Sequence, residues 1–330
     1  MKLILFLILS LTFVRCSENK SENKDQKATE KTEKPFKYEK FLKVPAYIEN
    51  ASGSNKEYYD AYDETLKLWN VAYRELYIGT SRGTVHVMVS GPEDGEPIVL
   101  LHGMNASSTM WYPNIAALSK DYQVFAIDYI LEPGKSNLLQ EIETPSKVMD
   151  WYNEVLYALD LKYFHLIGAS EGGYLAAKLA LKDPKRIKKM ILLSPAQTLT
   201  WIKPNMELIK LSASKVISKD KELTQTLSSM SSNVSNIAKE FLKQHELGHQ
   251  QGSENKFVPL MIPFSKKQLK TLKMPVLVLV GDQDLMNNEK TVEVANELRR
   301  GKGEIIPNAG HFLSVDQAEV VNRKMVEFLK

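Results

Sequence analysis

An α/β architecture, a mostly parallel sheet with helices on both faces, is what this sequence predicts. Three observations predict it. Short apolar runs alternate with helical patterns through most of the chain. One apolar run, FHLIG (Phe164 to Gly168), passes through Gly-x-Ser-x-Gly directly into the helical pattern YLAAKLALK (Tyr174 to Lys182). The alternation is interrupted once, between Pro195 and Met274, by Lys/Ser-rich helical segments that read as an inserted cap. The 330 residues suffice for one large domain, and 43% hydrophobic with 25% charged residues is ordinary for a globular chain.

The N-terminus reads as separate from this fold. MKLILFLILSLTFVRC has a basic start at Lys2 and an apolar run from Leu3 to Val14. Such a run is short for a membrane span and suits a signal segment. Cys16, the sole cysteine, stands just behind it. Residues 1–16 resemble a bacterial lipoprotein signal, in which the cysteine becomes the lipidated first residue. Arg15 departs from that pattern, which usually has a small residue there. The alternatives are a secretory signal cut nearby or an uncleaved anchor. Each predicts export, and the lipoprotein reading also predicts a membrane surface as partner through Cys16. A single cysteine rules out an internal disulfide, so the fold must rest on its core.

Residues 17–34, with SENK twice and no large apolar residue, predict a disordered tether. Residues 1–34 hold seven Lys/Arg and five Asp/Glu, or +2 of the total +3, which leaves about +1 for residues 35–330. That balance gives no reason to expect nucleic acid as a partner.

The α/β domain spans 35–330, with 195–274 as its cap. Asn55 to Tyr73 reads as a helix whose face of Tyr58, Tyr59, Tyr62, Leu66 and Trp69 packs on the sheet. YRELYIGT and TVHVMVSG read as two strands joined by a turn. PIVLLHG is a buried strand, TMWYPNIAALSK a helix, YQVFAIDY a strand ending near Asp128, and Pro145 to Leu159 a helix. After the FHLIG strand come strands KKMILLSP and PVLVLVGDQD, a helix Glu289 to Arg299, strand-like GEIIPNAG, and a closing helix Val315 to Leu329. In the cap, Trp201, Met206, Met261 and Phe264 either line a pocket or seat the cap on the core.

In such sheets, sites form beyond the carboxyl ends of the strands. Ser170 lies there, at a strand-to-helix turn. Glycines on either side permit a turn too tight for Cβ atoms, and the helix N-terminus offers amide N–H groups where negative charge develops. A serine nucleophile needs a base, and the base needs an orienting acid. His86 and His165 lie within strand patterns and read as structural, while His102 precedes Gly103 at a strand end. His311, in PNAGHF, follows the last strand on the same edge as Ser170. Asp282 and Asp284 both follow the PVLVLVG strand.

These pieces together resemble the α/β-hydrolase fold, from about Asn55 to Lys330. LLHGMNASSTMW, the strand to Asp128 with EPGKS, GASEGG, LVGDQD and NAGHF occur in that family's order. The resemblance implies a serine esterase-like hydrolase acting on a small-molecule acyl substrate through an acyl-enzyme. Ser170 matches the nucleophile, His311 the base and Asp284 the acid, with Asp282 as the alternative acid. The backbone N–H groups of Met104 and Glu171 match the oxyanion hole. Two features depart from the family pattern. Glu171 puts an acid directly after the nucleophile, and its side chain is expected to face solvent or pair with a lysine. DYILEPGKS carries a leucine and an extra residue where the family loop is D-x-x-G-x-G-x-S. The same triad serves amidases, lactonases and carbon–carbon hydrolases. A non-catalytic binding module of this fold usually lacks a triad member, and none is missing here. No cofactor motif is evident.

HELGH (His245 to His249) matches the H-E-x-x-H zinc signature. On a helix the two histidines share a face, with Glu246 as base. Asn255 stands where the extended pattern has its third histidine, and Gly248 and Gly252 weaken the helix. We therefore expect HELGH to be the polar end of a cap helix facing water, with no metal.

Overall fold

The computed structural model describes residues 35–202 and 229–330. The signal-like segment, the tether, Met206 and the cap segment 204–217 lie outside the described residues. Residues 38–330 make one compact unit.

A sheet runs through its centre in the order β1-β2-β4-β3-β6-β7-β8-β9, with the short β5 on β2. β1 (Tyr73–Thr80) and β2 (Gly83–Ser90) form an antiparallel hairpin in register from Tyr73 opposite Ser90 to Thr80 opposite Gly83. β2 also runs antiparallel to β4 (Tyr122–Ile127) and to β5 (Asn137–Leu138). From there the pairing is parallel through β3 (Glu96–Leu101), β6 (Phe164–Ala169), β7 (Ile187–Leu193), β8 (Val276–Gly281) and β9 (Gly301–Ile306). All six residues of each of β4, β6 and β8 are buried, Gln123 and His165 included, as strands covered on both faces require.

α1 (Gly53–Leu66) precedes the sheet. Its stripe serves two surfaces. Trp69, just past the helix, donates its indole N–H to Ser90 of β2 at 2.9 Å, while Tyr58 lies under the cap. α2 (Pro145–Ala158) starts with Pro145 at its first position and Thr144 as N-cap. α3 (Glu171–Lys182) follows β6 without a linking loop. The cap's described part contains α4 (Lys239–Gln251) and, among the described residues, no strand. α5 (Glu289–Asn296) and α6 (Ala318–Leu329) complete the unit. No helix of the described residues is long and apolar enough to cross a membrane.

The structure departs from the predicted helices in four places. The helix expected to run to Tyr73 ends at Leu66, and Tyr73 opens β1. TMWYPNIAALSK forms a 3₁₀ turn (Ser108–Trp111) and a separate α-turn (Ile115–Leu118). Pro113 between them has no N–H for the next rung. α5 stops at Asn296, whose side chain instead accepts the Gly303 N–H of β9 at 2.8 Å. The closing helix is split at Gln317 into Leu313–Asp316 and α6.

Candidate active site

The turn between β6 and α3 holds Ser170 at φ 51°, ψ −117°. This is the left-handed side of backbone space and costs a non-glycine residue about 1–3 kcal/mol. Its surroundings fix it there. The Ser170 N–H donates to Leu193 O of β7 at 2.9 Å, and its carbonyl accepts the N–H groups of Gly173, Tyr174 and Ala196. A Cβ on Gly168 would fall 2.2 Å from Gly172 O, and one on Gly172 2.2 Å from Leu101 O. The G-x-S-x-G spacing is therefore a packing requirement of this turn.

Ser170 meets residues from two other strand ends. His311, buried after β9, places Nε2 2.8 Å from Ser170 Oγ. Its Nδ1 lies 3.0 Å from Asp284 Oδ1, after β8. The Asp284 carboxylate also accepts the N–H of Met286 at 2.8 Å and of Asn287 at 3.2 Å, and Asn287 Nδ2 at 3.0 Å. Burial alone would raise its pKa, but the His311 imidazole and these donors outweigh burial and hold it at about 2. An ionised acceptor facing Nδ1 fixes the tautomer: Nδ1 carries the hydrogen and the Nε2 lone pair faces the serine. The alternative acid, Asp282, is not brought to the histidine. It is exposed, and its Oδ1 accepts the Ala309 N–H at 3.1 Å.

The His102–Gly103–Met104 turn lies against Ser170. A Cβ on Gly103 would sit 3.3 Å from Ser170 Cβ. The turn is set by His102, whose Nδ1 donates to Gly103 O at 2.8 Å while Nε2 accepts the Tyr129 N–H at 2.8 Å. Burial lowers its pKa, in keeping with that neutral tautomer. Met104 follows, and then Asn105 at φ 55°.

Glu171 corrects the sequence expectation. It is 5% exposed and pairs with no lysine among the described residues. Asn255 Nδ2 donates to Glu171 Oε1 at 2.5 Å and to Glu132 Oε1 at 2.8 Å. The reason is local geometry: the first residue of α3 points along the site wall, where the EPGKS loop and the cap close over it. Sequence reasoning passed over Glu132 and Asn255. The only signals were an acid in the departing loop and an asparagine weighed for another role.

Asp128, at the end of β4, anchors the EPGKS loop. It accepts the N–H of Ser108 at 2.7 Å and of Lys135 at 2.9 Å, and faces His86 Nδ1 at 2.9 Å. His86 Nε2 lies 3.0 Å from Glu75. Burial would lower the pKa of His86, but the two carboxylates override it and raise it. His86 is thus held within the core between two carboxylates that favour its charged form.

The cap reaches the site from two sides. On one, Phe264 stacks on Tyr174 of α3 at 5.0 Å between ring centroids, beside buried Met261. A narrow groove opens there, walled by Tyr129, Val148, Glu171, Tyr174, Phe257 and Met261. Met261 thus both lines the groove and seats the cap. Trp201 does neither, being 62% exposed. On the other side, Asp316 accepts the Gly310 N–H, next to His311, at 2.8 Å, and also the Ser232 N–H at 2.9 Å and the Ser231 hydroxyl.

HELGH faces water only in part. Gly248 is buried against Pro133 and Tyr58. His245 packs on Phe241 and burial, with nearby His249, lowers it to about 4, while His249 is exposed. The residue in the third-ligand position, Asn255, is committed to the two glutamates. Among the described residues no three metal-ligating side chains gather.

Comparison with known proteins agrees with this architecture. Residues 96–228 match the family model for the alpha/beta hydrolase fold. Carboxylesterase YbfK of Bacillus subtilis is 32% identical over 284 residues, covering 84% of this chain and 94% of the relative. The carboxylesterase nap of the same organism is 33% identical over 289 residues, covering 85% and 95%. The crystal structure of naproxen esterase from B. subtilis superposes with a TM-score of 0.78 at 32% identity, over 84% of this chain and 99% of that one. The chain belongs to the α/β-hydrolase fold family. Within that family it is a hydrolase of the carboxylesterase class.

Proposed function

We propose that the protein hydrolyses carboxylic esters of small molecules through Ser170, His311 and Asp284. The observation that carries this is the continuous line from Ser170 Oγ through the His311 ring to Asp284, at 2.8 and 3.0 Å, on a strained turn at the sheet's carboxyl edge. Ser170 Oγ attacks the ester carbonyl as His311 Nε2 takes its proton. Asp284 keeps the ring oriented and stabilises the imidazolium. The N–H groups of Met104 and Glu171 receive the oxyanion, each such donor being worth about 2.7–4 kcal/mol in the transition state. His311 then gives its proton to the leaving alcohol, and an acyl-serine remains. Water, deprotonated by His311, releases the acid and restores the serine.

A fluorophosphonate probe tests this directly. Wild type is expected to label and to turn over an ester panel, and Ser170→Ala to do neither while melting at the same temperature. Full ester turnover by Ser170→Ala would sink the assignment.

The N-terminal reading extends the proposal to location. The apolar run from Leu3 to Val14, with Cys16 behind it, supports export with lipid attachment at Cys16 and residues 17–34 as the tether. Metabolic labelling with a fatty-acid analogue, lost in Cys16→Ser, checks it.

A further inference from the structure

Two carboxyl groups stand behind the nucleophile, and the reaction above uses neither. Glu171 follows Ser170, and Glu132 comes from the loop after β4. Both are buried. Asn255 Nδ2 of the cap donates to both, at 2.8 Å to Glu132 and 2.5 Å to Glu171, and Glu132 Oε2 accepts the Asn105 N–H at 2.9 Å. Glu171 Oε2 is buried with no hydrogen-bond partner among the described residues. Two carboxylates gathered on one amide nitrogen away from water repel too strongly for both to ionise, so the pair holds one proton. Glu171 carries it, because both oxygens of Glu132 already accept from N–H donors.

We propose that the singly protonated Glu132–Glu171 pair is a positioning device for the oxyanion hole, aligning its two backbone donors and tying them to the cap through Asn255. This rests on the serine-hydrolase reading. Glu171 is the residue whose N–H is one donor. Glu132 holds Asn105, the residue after the other donor, Met104, in its left-handed conformation. Asn255, bonded to both carboxyls, therefore joins the two halves of the hole. The proton on Glu171 keeps it neutral, so no fixed negative charge opposes the oxyanion beside it.

The device has a pH limit. Burial first, and then the charge of Glu132, push Glu171 up to about 8. The other titratable groups facing it are Tyr129 on the Glu132 loop, Tyr152 on α2, and Lys178 further along α3 at the same groove. Above this pH the second carboxyl ionises, the pair repels, and a negative charge appears next to the forming oxyanion. Ester turnover then falls about tenfold per pH unit, as one ionisation requires, in kcat and not in KM, because the donors act on the transition state.

The test compares full-length wild type, Glu171→Gln and Glu132→Gln, with kcat and KM for p-nitrophenyl acetate followed from pH 5 to 10. The amide introduced by Glu171→Gln can accept from Asn255 and donate to Glu132 without ionising, so this variant is expected to lose the alkaline limb. Glu132→Gln removes the neighbouring charge, so its limb is expected to move to lower pH. Melting temperature gives a readout independent of turnover. A carboxyl raised in the folded state costs stability progressively as pH climbs from the ordinary carboxyl range to about 8. The melting temperature of Glu171→Gln relative to wild type is therefore expected to rise across that range. A difference that stays flat overturns the shared proton. An alkaline limb unchanged in Glu171→Gln, in a wild type that labels with fluorophosphonate, overturns the positioning role alone. A wild type that does not label overturns the serine reading, and this proposal with it.

Discussion

Replacing Asp284 by asparagine removes one charge and almost no volume, and the hydrogen-bond geometry around the carboxylate sets the consequence. Both carboxylate oxygens accept hydrogen: Oδ1 faces His311 Nδ1 and two backbone N–H groups, and Oδ2 faces Asn287 Nδ2. An amide must direct its own NH₂ at one of these donor sets. If it faces His311, the ring is driven to the tautomer that points Nε2–H at the serine. If it faces Asn287, the tautomer survives but the imidazolium loses its counter-charge. The carboxyl is held from 3.8 down to about 2, so the surroundings favour the ionised form by roughly 2 kcal/mol. That stabilisation is complete above the ordinary carboxyl range and is lost as pH falls from about 3.8 to 2. Asp284→Asn is expected to lower kcat/KM roughly 10⁴-fold at pH 7.5, the scale such a change has in this triad. It should cost roughly 2 kcal/mol in urea denaturation at neutral pH, a deficit that shrinks in acid. Asp282→Asn, at an exposed carboxylate turned away from the ring, should keep esterase activity within a few-fold. Equal losses in the two variants, or a loss under tenfold in Asp284→Asn, would refute this account of the acid.

Two further predictions concern the frame of the site. Gly172→Ala would drive a Cβ into the Leu101 and His102 carbonyls of the neighbouring strand, at 2.2 and 2.4 Å, so a stability loss of roughly 3 kcal/mol or more is expected by thermal denaturation. His86→Leu would leave Asp128 and Glu75 facing a hydrocarbon, costing about 3–5 kcal/mol. Because the pKa of His86 is raised in the fold, its contribution is full below the ordinary histidine pKa and is lost as pH rises through the folded value. The penalty measured in urea should therefore be larger at pH 6 than at pH 10.

The Ser170–His311–Asp284 line was legible in the sequence because chemistry dictates its residue types. A nucleophile needs a base, a base needs an acid, and His311 and the Asp282/Asp284 pair follow the last two strands in the order of the family they resemble. Choosing Asp284 over Asp282 from residues alone was not open, since both follow β8 within three positions and only the turn's backbone decides which carboxyl swings inward. Strands were readable because β4, β6 and β8 are mostly apolar runs, β8 without a break. Helix ends were not, where a tertiary partner took over, as at Asn296, the last residue of its helix, whose side chain bonds to β9. Glu171 was misjudged for the same reason. A lone acid after the nucleophile looks solvent-bound until Glu132 and Asn255, distant in the chain, are folded onto it.

Asp316 is a hinge pin shared by two doors. One carboxylate holds Gly310, on the loop that presents His311, and Ser231 and Ser232 of the cap. The cap and the His311 loop are thereby one mechanical assembly. Anyone grafting a foreign cap onto this core would have to carry the Ser231–Ser232 graft point along, or the new cap would arrive with His311 out of line.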